Sequence, residues 1–341
     1  MKNNKKILSG ILSLLMLLTA GGFSANAAET RTDVKVRDPF VLEYNGTYYM
    51  YGTGLQWPGY GCTKSTDLKN WSVPFGVFTP AEDYDGIGDW WAPECHYFNG
   101  SFYLFATYKS AASGKRGVAV FRADSPEGPF TQISDGHITP KQADAIDGTL
   151  FVDENGEPWM VYVGEWTSNN DGIGNMMLAK LSDDLTHFVS EPRLLFRADA
   201  PLWAKGSITD GPFLYRTKEG RLLMLWSNSD ENGYCVGIAY SSNGRIDGKW
   251  VQQPTVLYGG SKKAPDGGHG MIFTGENGEL LLSVHSPNGS TENLPTTAVF
   301  AELEDIGCTV ILKENSNFFS RLFYMVYYKI ADLLHAFLPV C

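Results

Sequence analysis

The chain has 341 residues, 43% of them hydrophobic and 13% aromatic, and 38 acidic against 27 basic side chains give a formal net charge of −11. That acidity argues against nucleic acid or a highly acidic polymer as partner, and the length suits one large domain with a sizeable core. Five scattered cysteines, Cys62, Cys95, Cys235, Cys308 and Cys341, show no Cys-x-x-Cys pair or zinc-type spacing, so they read as small apolar core residues rather than as staples or metal ligands.

At the N-terminus, Lys2, Lys5 and Lys6 precede an apolar stretch from Ile7 to Ala20 and then Ala25-Asn26-Ala27. This order predicts a secretory signal peptide over residues 1–27, and hence an extracellular or periplasmic protein. From there a unit repeats. Asn45-Gly46, Asn99-Gly100, Asn155-Gly156, Glu219-Gly220 and Asn277-Gly278 each lead into a short apolar strand, at intervals of 54 to 64 residues. An Asn-Gly turn between apolar runs signals a hairpin because a type I′ turn needs positive φ at both central residues. Five hairpins at a near-constant period predict an all-β, five-bladed β-propeller over residues 28–315. Third strands follow at Gly117–Arg122, Met176–Leu181, Tyr234–Tyr240 and Ala298–Leu303. The sequons at Asn45, Asn70, Asn99 and Asn288 read as turn chemistry.

Before each turn, the first strand opens on a recurring position. Lining up Asp38-Pro39-Phe40-Val41, Ala92-Pro93-Glu94-Cys95, Asp147-Gly148-Thr149-Leu150, Asp210-Gly211-Pro212-Phe213 and His269-Gly270-Met271-Ile272 puts Asp38, Ala92, Asp147, Asp210 and His269 in one set of slots. The first strand of a propeller blade lines the axis, so these slots converge at one end of one channel. Aspartate is depleted in strands and costly to bury, so three around an axis point to a site. Residues 316–341 differ: apolar and aromatic, but interrupted by Arg321, Lys329, Asp332 and His335. Those charges argue against a membrane span and leave open an amphipathic helix on the propeller or a tail foreign to it.

These motifs, Arg37-Asp38-Pro39-Phe40, Trp91-Ala92-Pro93-Glu94, Ile146-Asp147-Gly148-Thr149, Asp210-Gly211-Pro212-Phe213-Leu214 and Gly268-His269-Gly270 with His285-Ser286-Pro287-Asn288, resemble in order the signature of glycoside hydrolase family 43, over roughly residues 33–312. The resemblance implies an inverting hydrolase of α-L-arabinofuranosides, arabinan or β-D-xylosides. It implies Asp38 as general base, Asp147 as the residue that tunes and orients the acid, and the acid in the fourth blade. It also implies a structural cation, commonly calcium, held mostly through water near His269, with no organic cofactor. The family's usual acid is a Glu before Gly-Pro, and here Asp210 is one methylene shorter.

The chemistry supports the same assignment independently. Inverting hydrolysis sets a base and an acid on opposite faces of the sugar, with carboxyls typically ~6.5–9.5 Å apart. Blades one and four of five face each other nearly across the axis, which pairs Asp38 with Asp210, and a third negative charge from Asp147 keeps the acid protonated. Glu165, after the second strand of blade three, is the reserve acid. Trp90 and Trp91 offer aromatic faces for a sugar ring, and Glu94 and His285 complete the candidate substrate-binding set. The expected partner is a neutral pentose-containing oligo- or polysaccharide, taken by a monomer. Two other classes stay open: a non-catalytic sugar-binding propeller, and a retaining fructoside-active enzyme, which would need an Asp nucleophile and a Glu acid.

Overall fold

The computed structural model describes residues 29–261 and 264–337. The proposed signal peptide and Cys341 lie outside the described residues. Five antiparallel sheets follow one another along the chain. Blade one is β2 (Arg37–Tyr44), β3 (Thr47–Thr53), β4 (Tyr60–Ser65) and β5 (Phe75–Phe78), and blade two is β6 (Gly86–Phe98), β7 (Ser101–Ser110), β8 (Arg116–Ala123) and β9 (Thr131–Gln132). Blade three is β10 (Ala145–Val152), β11 (Pro158–Gly164), β12 (Asn175–Lys180) and β13 (Arg193–Arg197). Blade four is β14 (Asp210–Arg216), β15 (Leu222–Asp230), β16 (Gly233–Ser241) and β17 (Trp250–Gln252), with β18 (Tyr258–Gly259) also on β16.

Blade five closes the ring. Its strands β19 (Gly268–Thr274), β20 (Leu280–Ser286) and β21 (Thr297–Asp305) are completed by β22 (Val310–Leu312) and by β1 (Glu29–Arg31), which pairs with β21 through Thr30 opposite Phe300. The innermost strands touch in ring order: β2 with β6, β6 with β10, β10 with β14, β14 with β19 and β19 with β2. The chain is therefore the five-bladed propeller that the repeat predicts. Burial drives this arrangement, because the side chains of each second strand that point between blades are apolar and wholly buried, Met50, Leu104, Met160, Met224 and Leu282 among them.

The hairpin turns divide into two kinds. Asn45-Gly46 and Asn99-Gly100 have positive φ at both residues and close two-residue loops, Tyr44 pairing with Thr47 and Phe98 with Ser101. In the other three only the glycine is left-handed, and the loops are longer, with Val152 pairing Pro158, Arg216 pairing Leu222 and Thr274 pairing Leu280.

The C-terminal segment forms a helix, α1 (Phe318–Phe337), docked on the propeller. Asn317 Oδ1 caps it by accepting from the amides of Phe319 and Ser320. Tyr328 is buried in the apolar cluster of blades four and five and donates to Gln253 Oε1 at 3.0 Å, while Tyr327 donates to the Gln252 carbonyl at 3.2 Å. Arg221 grips Asp332 with two hydrogen bonds, 2.8 and 3.2 Å, and lies 4.6 Å over the Tyr328 ring. Among the described residues no helix is long and apolar enough to cross a membrane. Cys62, Cys95 and Cys235 are buried free thiols, and Cys308 is half-buried and free.

Candidate active site

Every first strand breaks its pairing with the second at one equivalent point, joined in blade two by two earlier shifts, and the shared break sets the site. The register slips between Arg37 and Phe40, Trp91 and Glu94, Ile146 and Thr149, Asp210 and Phe213, and Gly268 and Met271. The first residue of each bulge is left-handed: Asp38 (φ 54°), Ala92 (41°), Asp147 (54°), Gly211 (49°) and His269 (53°). Such a backbone costs on the order of 1–2 kcal/mol for a residue with a Cβ, and it turns that residue out of the strand pattern toward the axis. The slot in blade four is thus Gly211, not Asp210. Asp210 stands one residue earlier, level with Arg37, Trp91, Ile146 and Gly268. The signal for this was present in the sequence, since Gly211-Pro212 matches Asp38-Pro39 and Ala92-Pro93.

The slot amides are held by the neighbouring blade. Ala92 N donates to Thr53 Oγ1 at 2.8 Å, Asp147 N to Thr107 Oγ1 at 3.2 Å, His269 N to Ser227 Oγ at 2.8 Å and Asp38 N to His285 Nδ1 at 3.1 Å. Each acceptor lies opposite the residue preceding its own blade's slot. In blade three that place belongs to Val163, which has no acceptor. The amide of Gly211 donates instead to Asp147 Oδ2 at 3.0 Å.

His269 gathers the carboxylates. Its Nδ1 is 3.2 Å from Asp38 Oδ1 and 3.8 Å from Asp147 Oδ2. The ring packs on Gly211, where a Cβ would lie 2.6 Å from Cδ2. Burial opposes a charge on His269, but Asp38, then Asp147 and Asp210, outweigh it and push its pKa up to about 10. Burial likewise pushes the Asp38 carboxyl up, and the His269 imidazolium beside it holds it well below the usual carboxylate range. Thr53 Oγ1 donates to Asp38 Oδ2 at 2.7 Å. His285 accepts the Asp38 amide on Nδ1, so its Nε2 carries the hydrogen given to Asn288 Oδ1 at 3.1 Å.

Asp147 and Asp210 form a coupled pair. Burial lifts both above the usual carboxylate range, with the Asp210 and Asp38 charges adding to the lift at Asp147 and the Asp38 charge at Asp210. Two such carboxyls do not both ionise readily, and the donors around them differ. Asp147 Oδ2 faces the Gly211 amide and the His269 imidazolium. Asp210 receives only the Tyr234 hydroxyl, on Oδ2 at 2.9 Å, and its buried Oδ1 has no hydrogen-bond partner among the described residues. Both carboxyls are raised, Asp147 to about 8 and Asp210 to about 6, so the two share protons as a pair and Asp210 is held above the usual carboxylate range. Tyr234 was not legible as a site residue, because it reads as one more aromatic of a third strand.

The other sequence candidates are distributed differently. Trp90 is buried among Tyr60, Phe78, Tyr84 and Tyr108, stacked on Tyr108 with centroids 5.7 Å apart. No face of it is left for a sugar, which corrects that assignment. Trp91 is half-buried under the Arg116 guanidinium, 5.3 Å from its centroid. Glu94 lies past the bulge, buried, with Oε2 3.1 Å from His96 Nε2, a pairing that engages it within the strand rather than with the aspartates. Glu165 is bidentate on Arg116, at 2.7 and 2.9 Å, within a network that includes Asp89, Asp144 and Lys115. Arg116 opposes the rise that burial causes in the Glu165 carboxyl.

Calcium prefers several oxygen ligands. Among the described residues no group of three or more His, Cys, Asp or Glu side chains is arranged to hold a metal ion. His269 has its Nδ1 turned to Asp38 and Asp147 and its Cδ2–Nε2 edge against Gly211. These residues do not fit a directly ligated metal.

A model of glycosyl hydrolases family 43 matches residues 32–302. An extracellular exo-α-(1→5)-L-arabinofuranosidase of Cellvibrio japonicus is 30% identical over 195 residues, 51% of this chain and 50% of that protein. An extracellular endo-α-(1→5)-L-arabinanase of Bacillus subtilis is 27% identical over 176 residues, 47% of this chain and 52% of that protein. The chain spans about half the length of these curated relatives. The crystal structure of an endo-arabinase from Bacteroides thetaiotaomicron is 34% identical, with a TM-score of 0.72, covering 81% of this chain and 98% of that one.

Proposed function

The chain belongs to family 43 of the glycosyl hydrolases, and from that membership we propose that it is a secreted, inverting hydrolase of pentosyl linkages in arabinan, arabinofuranosides or xylosides. The observation that carries this reading is the gathering of buried aspartates around His269, where Asp38 is held below the usual carboxylate range and Asp210 is raised above it. Asp38, ionised beside His269, takes a proton from water as that water attacks the anomeric carbon. Asp210, protonated through burial, gives its proton to the leaving oxygen. Asp147 is tied to the Asp210 segment by the Gly211 amide and tunes the acid through the coupling of the two carboxyls. This is inverting acid–base catalysis, with the division of labour set by environment.

Secretion is supported by the N-terminal pattern and by the extracellular relatives, and the substrate class by what those relatives act on. Neither Glu165 nor Glu94 competes for the acid role, since Arg116 and His96 engage them. The test is to follow, by proton NMR, the first product released from nitrophenyl α-L-arabinofuranoside, nitrophenyl β-D-xyloside and debranched arabinan. An inverted anomer is expected, and Asp38→Asn should lower turnover on every substrate by at least ~10²-fold. A retained anomer, or near-normal turnover in Asp38→Asn, would overturn the assignment.

A further inference from the structure

We propose that Tyr234 is a positioning residue for the proton donor: its hydroxyl anchors Asp210 through Oδ2 and commits the transferable proton to Oδ1. This rests on the reading of Asp210 as the acid and extends it to the question of which oxygen delivers the proton.

Four contacts fix Tyr234. It is 3% exposed, and its amide donates to Asp266 Oδ2 at 3.0 Å. One ring face stacks on His285, with centroids 5.5 Å apart and planes 19° apart. The ring also abuts Gly268, where a Cβ would come within 2.5 Å of it. The hydroxyl donates to Asp210 Oδ2 at 2.9 Å. Burial and the neighbouring carboxylates keep that phenol neutral, so it stays a donor.

A donor on Oδ2 decides where the acid's hydrogen goes. A hydrogen on Oδ2 would make the tyrosine hydroxyl turn to accept it and leave the phenol hydrogen without its acceptor, whereas Oδ1 has no partner among the described residues. The carboxylic O–H therefore lies on Oδ1, an enclosed oxygen that no neighbour holds, which a leaving group meets once bound substrate has displaced the side chains closing over it. When the proton leaves Oδ1, the negative charge that appears is shared with Oδ2 and met there by the Tyr234 O–H, so the hydrogen bond is stronger after transfer than before it. An aspartate one methylene shorter than a glutamate has less freedom to search for the leaving oxygen, and a fixed rotamer matters more for it. Through its stack on His285, whose Nδ1 accepts the Asp38 amide, Tyr234 also keeps the acid in register with the base.

The experiment is Tyr234→Phe, which retains the ring and its stack and removes the hydroxyl. Kinetics are measured on a series of aryl and alkyl glycosides of the preferred sugar, with leaving groups from acidic phenols to simple alcohols, beside wild type and Asp210→Ala. Acidic phenols leave without a proton. The expected result is a loss of kcat/KM of ~10- to 100-fold for alcohol leaving groups and within about threefold for acidic phenols, so that rate depends more steeply on leaving-group pKa. Asp210→Ala should show the same pattern more strongly. If Asp210→Ala slows all leaving groups alike, the acid assignment itself is wrong. If Asp210→Ala shows the dependence while Tyr234→Phe matches wild type, or slows every substrate equally, Tyr234 does not position the proton. Activity on the phenols also reports that the variant is folded.

Discussion

Gly211 is where one blade departs from the other four. At Asp38, Ala92, Asp147 and His269 a residue with a Cβ takes the left-handed backbone, a strain that persists where surrounding structure over-determines it. In blade four the space for a side chain at that position is filled by the His269 ring, so the carboxylate is supplied by the preceding residue. Gly211→Ala should therefore press a methyl into His269 as well as strain the backbone. We expect a loss of about 1–3 kcal/mol in unfolding free energy and at least tenfold in turnover, measured by urea unfolding and aryl-glycoside kinetics.

Charge at the same residues fixes a pH dependence. Activity needs Asp38 ionised and Asp210 protonated. Asp38 is held low, so it stays ionised well into the acid range. Asp210 is raised, so activity should fall as pH climbs through a value above the ordinary carboxylate range. Asp147 and Asp210 are raised together, so Asp147→Asn, which removes one carboxyl of the pair, should ease ionisation of Asp210 and move that alkaline limb to lower pH in a kcat/KM profile. An unmoved limb would mean that Asp147 does not tune the acid. The residue types of this cluster were legible in the sequence, but the one-residue offset at Asp210 was not read, because Asp-Gly alone looks the same whether the aspartate or the glycine starts the bulge.

Among the elements, the second strands act as clips between blades. Thr53, Thr107, Ser227 and His285 each accept the slot amide of the next blade. An amide buried there without an acceptor costs about 1–3 kcal/mol. Thr107→Val should lose about that much in chemical unfolding and loosen Asp147, whereas the valine at 163 is already accommodated because Asp147 takes the Gly211 amide. If Thr107→Val unfolds at the wild-type midpoint, the clip contributes nothing. None of this was readable beforehand: a threonine or serine near the end of a strand is ordinary composition, and its meaning depends on a neighbour some forty residues away. Trp90 and Trp91 show the converse. Adjacent residues of a strand point to opposite sides, and only the structure says that Trp90 faces the aromatic core and Trp91 faces Arg116.

For the molecule as a whole, the repeat of turns and apolar strands was enough to count blades, since each hairpin is local. Closure was not legible, because β1 is only three residues long and its partner lies at the far end of the domain. The pattern of residues 316–341 leaves open an amphipathic helix on the propeller or a tail foreign to it, and names no docking place. Tyr327, Tyr328 and Arg221 supply one on blade four.

The seam in blade five also sets an order of events in time. The strand made first, β1, has no partner until β21 exists, and Arg31 then reaches Thr297 Oγ1 at 3.0 Å as well as the Ser286 carbonyl. Four blades can form from neighbouring segments, but the ring can lock only when β1 meets β21, and contacts of such sequence separation are slow to form. Refolding followed by pulsed hydrogen exchange should protect the amides of blades two and three first and those of β1 and β21 last. A chain lacking residues 29–32 should lose that last phase and unfold faster. Equal rates of protection around the ring would show that the propeller does not wait for its seam.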